Sequence, residues 1–250
     1  MNKKYKIVLG NDTMIYGQLC ADMLRQLGFR VIMTPCNGEA VLAAIQKQAP
    51  DLVVMDHQMP EMDAIAVMAN VQACKMAQPI FVVTGTYDNT YGLEEVIRHR
   101  ATLFVKKPYS NEDLCRHITE LIENISQHLD MLVSCELHKM GVPLGYNGFN
   151  YLCDAIILSI RDPELARSIT KRLYPLLAKR YKCSSDSIEA ALRSAIEKTW
   201  REGNSKVLEK YFGADEKHEL KKKRPSNGAF ILAVANQLRS ELQKQREGLA

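Results

Sequence analysis

The chain has 250 residues, which is enough for one large domain or two ordinary ones. Its hydrophobic content of 46% and charged content of 25% are typical of a soluble globular protein, and no apolar run approaches the roughly 18 residues that a membrane helix needs. No signal-peptide core follows Met1, and the seven scattered cysteines contain no CxxC pair, so neither a disulfide framework nor a zinc site is expected. These features predict a reduced, cytoplasmic protein without a membrane partner.

Charge is distributed unevenly along the chain. Residues 1–130 carry a net charge of −3 and residues 131–250 carry +7, within a total of +4. An acidic half followed by a basic half predicts two domains, the second with a polyanionic partner. The alternative is a chance scatter of solvated lysines.

The first half alternates short apolar runs with segments of helical spacing. The predicted strands cover 6–9, 29–33, 51–56, 80–84 and 103–106, and the predicted helices cover 14–27, 38–48, 64–76, 91–99 and a segment capped by Asn111. Strands and helices that alternate in this way predict an α/β fold with a doubly wound, five-stranded parallel sheet of the flavodoxin-like kind.

Polar side chains follow the predicted strands at the point where each strand ends. Asn11 and Asp12 follow the first strand, Asp56 ends the third, Thr84 ends the fourth, and Lys107 follows the fifth. These groups are expected to converge, because the carboxyl ends of parallel strands open on one edge of the sheet. Carboxylate and carbonyl oxygens suit Mg²⁺, and an ammonium would offset the charge of a phosphoryl group. Asp56 is therefore the predicted phosphoacceptor, although an aspartate that only caps a turn is the alternative.

Residues 5–124 resemble the receiver domain of two-component response regulators. The resemblance lies in Asn11-Asp12, in Met55-Asp56-His57-Gln58-Met59-Pro60, in Thr84 and Phe104, and in Lys107-Pro108. It implies that a histidine kinase or phosphotransferase phosphorylates Asp56 with the help of Thr84 and Lys107, and that Thr84 and the switch residue Phe104 report the event. It also implies a Mg²⁺ site formed by Asn11, Asp12, Asp56 and Gln58.

Two positions depart from the family pattern. Asn11 stands where the family has the first member of an acidic pair, so weaker Mg²⁺ binding and slower phosphorylation are expected. Ala64 stands where the family has a glycine, and a positive φ at that position would cost roughly 1 kcal/mol. A phosphorylation-independent regulator, whose degenerate receiver serves only for dimerisation, is therefore the alternative function.

The second half is predicted to be helical. The expected division is a receiver domain at 1–128, a linker at 129–145 that contains glycine and proline, and an all-helical domain at 146–250. Helical patterns cover 151–160, a segment from Asp162 to Tyr181 that is broken near Pro175, and a last helix from 227 to about 245.

A short turn separates two of these helices. The first helix ends at Tyr181, residues 182–185 form the turn, and a capping box at 186–189 begins the second helix. The second helix has a predicted buried stripe made of Ile188, Ala191, Leu192, Ala195, Ile196 and Thr199. In a basic domain, this pattern indicates a helix-turn-helix whose second helix enters the major groove, although helical hairpins without this role are common.

Residues from about 137 to 242 resemble the effector domain of the stage-zero sporulation protein A family, the regulators that start endospore formation. The resemblance lies in the segments 148–156, 168–175, 195–204 and 230–235. It implies sequence-specific DNA binding, control of transcription linked to sporulation, contact with the RNA polymerase sigma subunit, and a homodimer in the active state.

The residues expected to contact DNA are Lys182, Ser187, Glu189, Ala190, Arg193 and Ser194. Arg193 would pair with guanine, and Glu189 would accept a hydrogen bond from cytosine. The family has Arg and His in place of Ala190 and Ser194, so a contact worth about 1–3 kcal/mol is lost and the specificity is expected to change. The basic run at 217–224 either contacts phosphates or is a solvated linker.

An enzyme with an aspartate nucleophile is a further alternative, because the same sheet edge supports such chemistry in other proteins. The sequence contains neither a lid domain nor a glycine-rich phosphate loop, and a helix-turn-helix would have no role in such an enzyme. The chain is therefore expected not to be an enzyme.

Overall fold

A computed structural model describes residues 5–11, 14–74, 78–86, 94, 96–99, 101–144, 147–213 and 224–248, without the side chains of residues 11, 14–16 and 245–248. The chain divides into two compact units, residues 2–123 and residues 124–249. Within the described ranges, none of the helices combines the length and the apolar character needed to cross a bilayer.

The first unit contains a five-stranded parallel sheet. Its strands are β1 (Lys6–Asn11), β2 (Arg30–Pro35), β3 (Leu52–Asp56), β4 (Ile80–Gly85) and β5 (Leu103–Lys106). They pair in parallel in the order β2-β1-β3-β4-β5. The predicted α/β fold is confirmed, and all five carboxyl ends open on one edge.

Helices cover both faces of this sheet. They are α1 (Met14–Gln26), α2 (Gly38–Gln48), α3 (Ala64–Ala73) and the first part of α4 (Asn111–Lys139). Alternate strand residues, including Val53 and Val83, pack with α2 and α3, while Val54 and Val82 are equally buried and face the other side because side chains alternate along a strand. Of the predicted helix at 91–99, residues 94 and 96–98 are helical and the others lie outside the described residues, apart from the turn residue His99.

The second unit is helical. After the end of α4 it contains α5 (Asn147–Arg161), α6 (Pro163–Arg167), a π-helical segment (Ile169–Leu173), α7 (Tyr174–Tyr181), α8 (Ser185–Glu202), α9 (Ser205–Phe212) and α10 (Asn227–Gly248). The π-helical segment lies where a break near Pro175 is predicted. Proline has no backbone N–H, so the regular α-helical bonding pattern cannot continue through it.

The core of the second unit extends into the predicted linker. Leu129, Val133 and Leu137 lie on one side of α4, and Met140 and Val142 follow; all five are buried in that core. Their spacing places them on one helix face, which packs against the other helices. Residues 129–142 therefore contribute to this core, and the boundary between the compact units lies earlier, after residue 123.

A polar contact joins the end of α4 to α9. The Glu136 carboxylate accepts a hydrogen bond of 2.9 Å from the Tyr211 hydroxyl and pairs with Lys139. Burial alone would raise the pKa of Glu136, but the hydrogen bonds from Lys139 and Tyr211 hold it below its ordinary value. The contact therefore stabilises the ionised form of Glu136.

Two helix starts differ from their predicted positions. The N–H of Asp113 donates to the Ser110 hydroxyl at 3.0 Å, and the N–H of Ser187 donates to the Ser184 hydroxyl at 3.1 Å. These serines are the N-caps of α4 and α8, so the predicted caps at Asn111 and Asp186 are wrong. In each case a serine that comes earlier in the chain already satisfies the free N–H of the first turn.

Candidate functional site

The Asp56 carboxylate lies at the edge where the parallel strands end. Asp56 pairs with Thr84 in the register of β3 and β4, so the two side chains are neighbours. The Thr84 hydroxyl donates to Asp56 Oδ1 at 2.7 Å, and the residue Asp56 is only 7% exposed. The N–H of His57 donates to the carbonyl of Thr84 at 2.7 Å, which continues the strand pairing beyond the carboxylate.

Lys107 supplies the positive charge at this edge. Its N–H donates to the Gly85 carbonyl at 2.9 Å, so the residue continues from β5, and the peptide bond to Pro108 is cis. Its ammonium pairs with Asp56 Oδ2. The side chains of Lys107 and Asp56 are 31% and 10% exposed, so the pair is partly shielded from water. A shielded carboxylate needs such a partner, because an unpaired buried charge is strongly destabilising.

Tyr109 is a member of this site that the sequence reasoning missed. Its half-buried hydroxyl forms a hydrogen bond with Thr84, which itself bonds Asp56. Burial raises the pKa of the Tyr109 phenol, and the bond to Thr84 offsets part of that shift. Its place immediately after Lys107-Pro108 was the available signal, since a residue so close to the lysine has little freedom to leave the sheet edge.

Phe104 lies in β5 and is half-buried, packed against the core of the first unit. A Cβ atom at Gly85 would lie 3.5 Å from the Phe104 ring and 3.1 Å from the Cβ of His57. Glycine at this position therefore leaves room for both neighbours. The predicted switch role of Phe104 stays a prediction.

The loop after Asp56 has no strain at Ala64. Ala64 is the first residue of α3, its N–H donates to the His57 carbonyl at 3.0 Å, and it is not among the described residues with positive φ. Asp63 caps the helix by accepting from the N–H of Ala66 at 2.7 Å. The positive φ in this loop belongs to Glu61 instead. The predicted cost at Ala64 is therefore wrong, because a helical position accepts alanine readily.

The predicted Mg²⁺ ligands are described only in part. Asp12 and the side chain of Asn11 lie outside the described residues, and Gln58 is exposed in the loop that follows Asp56. The described residues contain no group of three His, Cys, Asp or Glu side chains suited to a metal. The Asp56 carboxylate nevertheless fits Mg²⁺, which prefers oxygen ligands. It has about four acceptor positions, and the hydrogen bonds from Thr84 and Lys107 occupy two of them, which leaves two.

The helix-turn-helix of the second unit is formed by α7 and α8. Helix α7 ends at Tyr181, its C-cap Lys182 has a left-handed φ of 54°, and α8 begins after the Ser184 cap. In α8 the residues Ile188, Leu192, Ala195, Ile196 and Thr199 are buried, and Ala191 is half-buried. The predicted stripe is confirmed.

Most residues predicted to contact DNA share the exposed face of α8. Ser187, Ala190, Arg193 and Ser194 are exposed and Glu189 is half-buried, while Lys182 is exposed in the turn. Arg193 and Glu189 form an ion pair one helical turn apart. Of the basic run at 217–224, only Arg224 lies within the described residues.

Contacts with α5 and α10 position α8. A Cβ atom at Gly148 would lie 2.7 Å from the Ala191 carbonyl, so α5 and α8 pack closely. The Asn227 amide donates to the Glu189 carbonyl and to the Tyr174 hydroxyl, both at 3.1 Å. These bonds fix the first half of α8, and sequence reasoning did not identify Asn227 because its partners are remote in the chain.

The end of α7 is also held by polar contacts. The buried Asp154 carboxylate accepts a hydrogen bond of 2.6 Å from Tyr181 and pairs with Arg180 at 3.1 Å. Burial and the contact with Asp154 raise the pKa of the Tyr181 phenol. Both helices of the motif are therefore anchored to α5.

Two family models match the two compact units of the chain separately. Residues 7–119 match the response regulator receiver domain, and residues 133–238 match the sporulation initiation factor Spo0A C-terminal domain. A LuxR-family DNA-binding response regulator from Staphylococcus aureus is 20% identical, with a TM-score of 0.42 over 46% of this chain and 97% of that chain. A CheY-like receiver domain protein from Methanospirillum hungatei JF-1 is 16% identical, with a TM-score of 0.45 over 50% and 99%.

A third solved structure is the receiver domain of sensor histidine kinase PA1611 from Pseudomonas aeruginosa PAO1, which has a magnesium ion in its active-site cleft. It is 19% identical, with a TM-score of 0.41 over 47% of this chain and 97% of that chain. The two family matches follow one another and together account for most of the sequence. The chain therefore belongs to the response regulators, and joins a receiver domain to a DNA-binding domain of the Spo0A type.

Proposed function

We propose that Asp56 accepts a phosphoryl group from a histidine kinase or phosphotransferase, and that this phosphorylation controls sequence-specific DNA binding and transcription linked to sporulation. The observation that carries the proposal is the shielded Asp56 carboxylate, which Thr84 and Lys107 contact in a chain that also has a DNA-binding domain. A cytoplasmic location is part of the proposal, because the protein must reach both the phosphoryl donor and DNA.

The chemistry follows from these contacts. A carboxylate oxygen of Asp56 attacks the phosphorus of a phosphohistidine, the N–P bond breaks, and an acyl phosphate forms. The Lys107 ammonium offsets the negative charge that collects there, and Thr84 donates its hydroxyl to a phosphoryl oxygen. Asn11, Asp12, Asp56 and Gln58 would hold Mg²⁺, which when bound supplies further positive charge.

The second unit would bind DNA through α8. Arg193 and Glu189 lie on its exposed face and have donor and acceptor groups that suit base edges, while Lys182 suits a phosphate. The net charge of +7 over residues 131–250 favours a polyanion. Homodimer formation on phosphorylation and contact with the RNA polymerase sigma subunit complete the proposal.

The test treats the protein with acetyl phosphate and Mg²⁺ and follows intact mass. Asp56→Asn removes the proposed acceptor, and Asp63→Asn is the matched control, since it removes a carboxylate from the following loop while asparagine still caps α3. A phosphoryl adduct is expected on the wild type and on Asp63→Asn, but not on Asp56→Asn. An equal adduct on all three proteins would refute the assignment of Asp56.

DNA binding is measured on the same samples, with a site selected from a random library by the treated wild type. Tighter binding after treatment is expected for the wild type and for Asp63→Asn. Asn11 stands where the family has an acidic residue, and this difference favours a second candidate function, a regulator whose receiver only mediates dimerisation. An unchanged affinity, with or without an adduct, would support that second function.

A further inference from the structure

Two cysteines contact each other inside the first unit. Cys20 lies in α1 and Cys115 in α4, and their sulfur atoms are 4.0 Å apart although 95 positions separate them in the sequence. Cys20 is fully buried and Cys115 is almost fully buried. The pair therefore joins two helices that are distant in sequence, and both thiols are free.

The two thiols differ in acidity. The hydrogen bond between the two thiols lowers the pKa of the Cys115 thiol, and burial opposes this shift. The same hydrogen bond raises the pKa of Cys20, and burial raises it further. Cys115 is the less deeply buried of the two and has the lowered pKa, so it is the better nucleophile, and Cys20 is the neighbour able to resolve its oxidised form.

We propose that Cys20 and Cys115 form an oxidation site that closes a reversible disulfide between α1 and α4 in the presence of a peroxide. The Cys115 thiolate attacks one peroxide oxygen, the O–O bond breaks, and a sulfenic acid and hydroxide form. The Cys20 sulfur then attacks the Cys115 sulfur, the S–O bond breaks, and the Cys20 proton and the released oxygen leave as water. Two thiols are oxidised while one peroxide is reduced to water.

The geometry requires only a short approach of the two sulfurs. A disulfide bond is about 2.05 Å long, so each sulfur must move by about 1 Å from the observed contact. The bond would close a loop across most of the first unit, which restricts the unfolded chain and makes that unit harder to unfold.

The experiment uses the reduced, full-length wild type. The protein is treated with hydrogen peroxide, denatured, alkylated and mapped by peptide mass. A cross-linked peptide pair that contains Cys20 and Cys115 is expected, with the loss of two hydrogen atoms and with reversal by dithiothreitol. Cys74 and Cys135 are exposed and serve as internal indicators that the oxidant acted. Oxidation of these two while Cys20 and Cys115 both remain alkylated would overturn the proposal.

Variants test the order of events. In Cys20→Ala, a sulfenic acid that reacts with dimedone is expected on Cys115. In Cys115→Ala, Cys20 is expected to stay unlabelled by dimedone. The reverse pattern would overturn the assigned roles. Cys74→Ala is the matched control and should still form the disulfide. Peptide mapping of the wild type decides the existence of the disulfide even where a buried substitution impairs folding. A raised denaturation midpoint of the oxidised protein is expected as well, and an unchanged or lowered one would contradict the link between α1 and α4.

Discussion

Replacement of Arg193 by alanine separates DNA recognition from stability. The Arg193 side chain is 55% exposed and its partner Glu189 is 37% exposed. An exposed pair of this spacing contributes about 0.3–0.5 kcal/mol, and alanine is a better helix former, so the free energy of unfolding should change by less than about 0.5 kcal/mol. A lost base contact costs about 1–3 kcal/mol, which weakens DNA binding by about 5- to 150-fold.

Arg201→Ala is the matched control. Arg201 lies about two turns further along α8, is 69% exposed and pairs with Glu202 at 2.8 Å, so its loss removes the same charge and a similar ion pair. Binding is measured for both variants on a site selected from a random library and on a scrambled site, at several salt concentrations. The Arg193→Ala protein should lose affinity mainly for the selected site. An equal loss on both DNAs, or an equal loss in the two variants, would refute a base-reading role for Arg193.

Three further changes test other parts of the structure. Thr84→Val keeps the shape of the side chain but removes the hydroxyl that bonds the Asp56 carboxylate, so phosphorylation by acetyl phosphate should slow several-fold; an unchanged rate would show that Thr84 plays no part. The pKa of Glu136 is held below its ordinary value of 4.5, so its stabilising contribution is present above that value and is lost as the pH falls through the lowered pKa. Glu136→Gln should therefore flatten the fall of the urea midpoint with pH below about 4.5, whereas an unaltered slope would contradict this. Gly148→Ala places a Cβ 2.7 Å from a carbonyl of α8 and should cost about 1–3 kcal/mol of stability. The control is Gly228→Ala, which should cost much less because its Cβ would meet only an Ile169 side chain at 3.3 Å. Equal effects of the two changes would argue against the close packing of α5 on α8.

The sequence predicted the sheet and the residues at its edge because their signals are local. Each strand is a short apolar run, and a polar residue follows directly, as Asp56 and Thr84 do. Parallel pairing then brings these residues together without further information. The buried stripe of α8 was predictable for the same reason, since helical spacing alone places Ile188, Leu192 and Ile196 on one face.

Local spacing was less informative about the position of the linker and about which residues cap two of the helices. Glycine and proline at 141–145 predicted a linker, but the apolar positions of α4 before them belong to the core of the second unit. The N-caps at Ser110 and Ser184 were missed because asparagine and aspartate nearby have a similar preference for that position. Which residue caps a helix depends on where its first turn packs, and sequence spacing alone does not show this.

The sequence by itself determined the fold of the first unit, the helical character of the second, and the likeness to a receiver followed by a sporulation regulator. The tertiary structure decided which distant groups meet: Tyr109 with Thr84, Asn227 with the carbonyl of Glu189, and Cys20 with Cys115. The reason is physical. Strand and helix patterns arise from the periodicity of neighbouring residues, whereas contacts between remote side chains depend on how complete elements pack against one another.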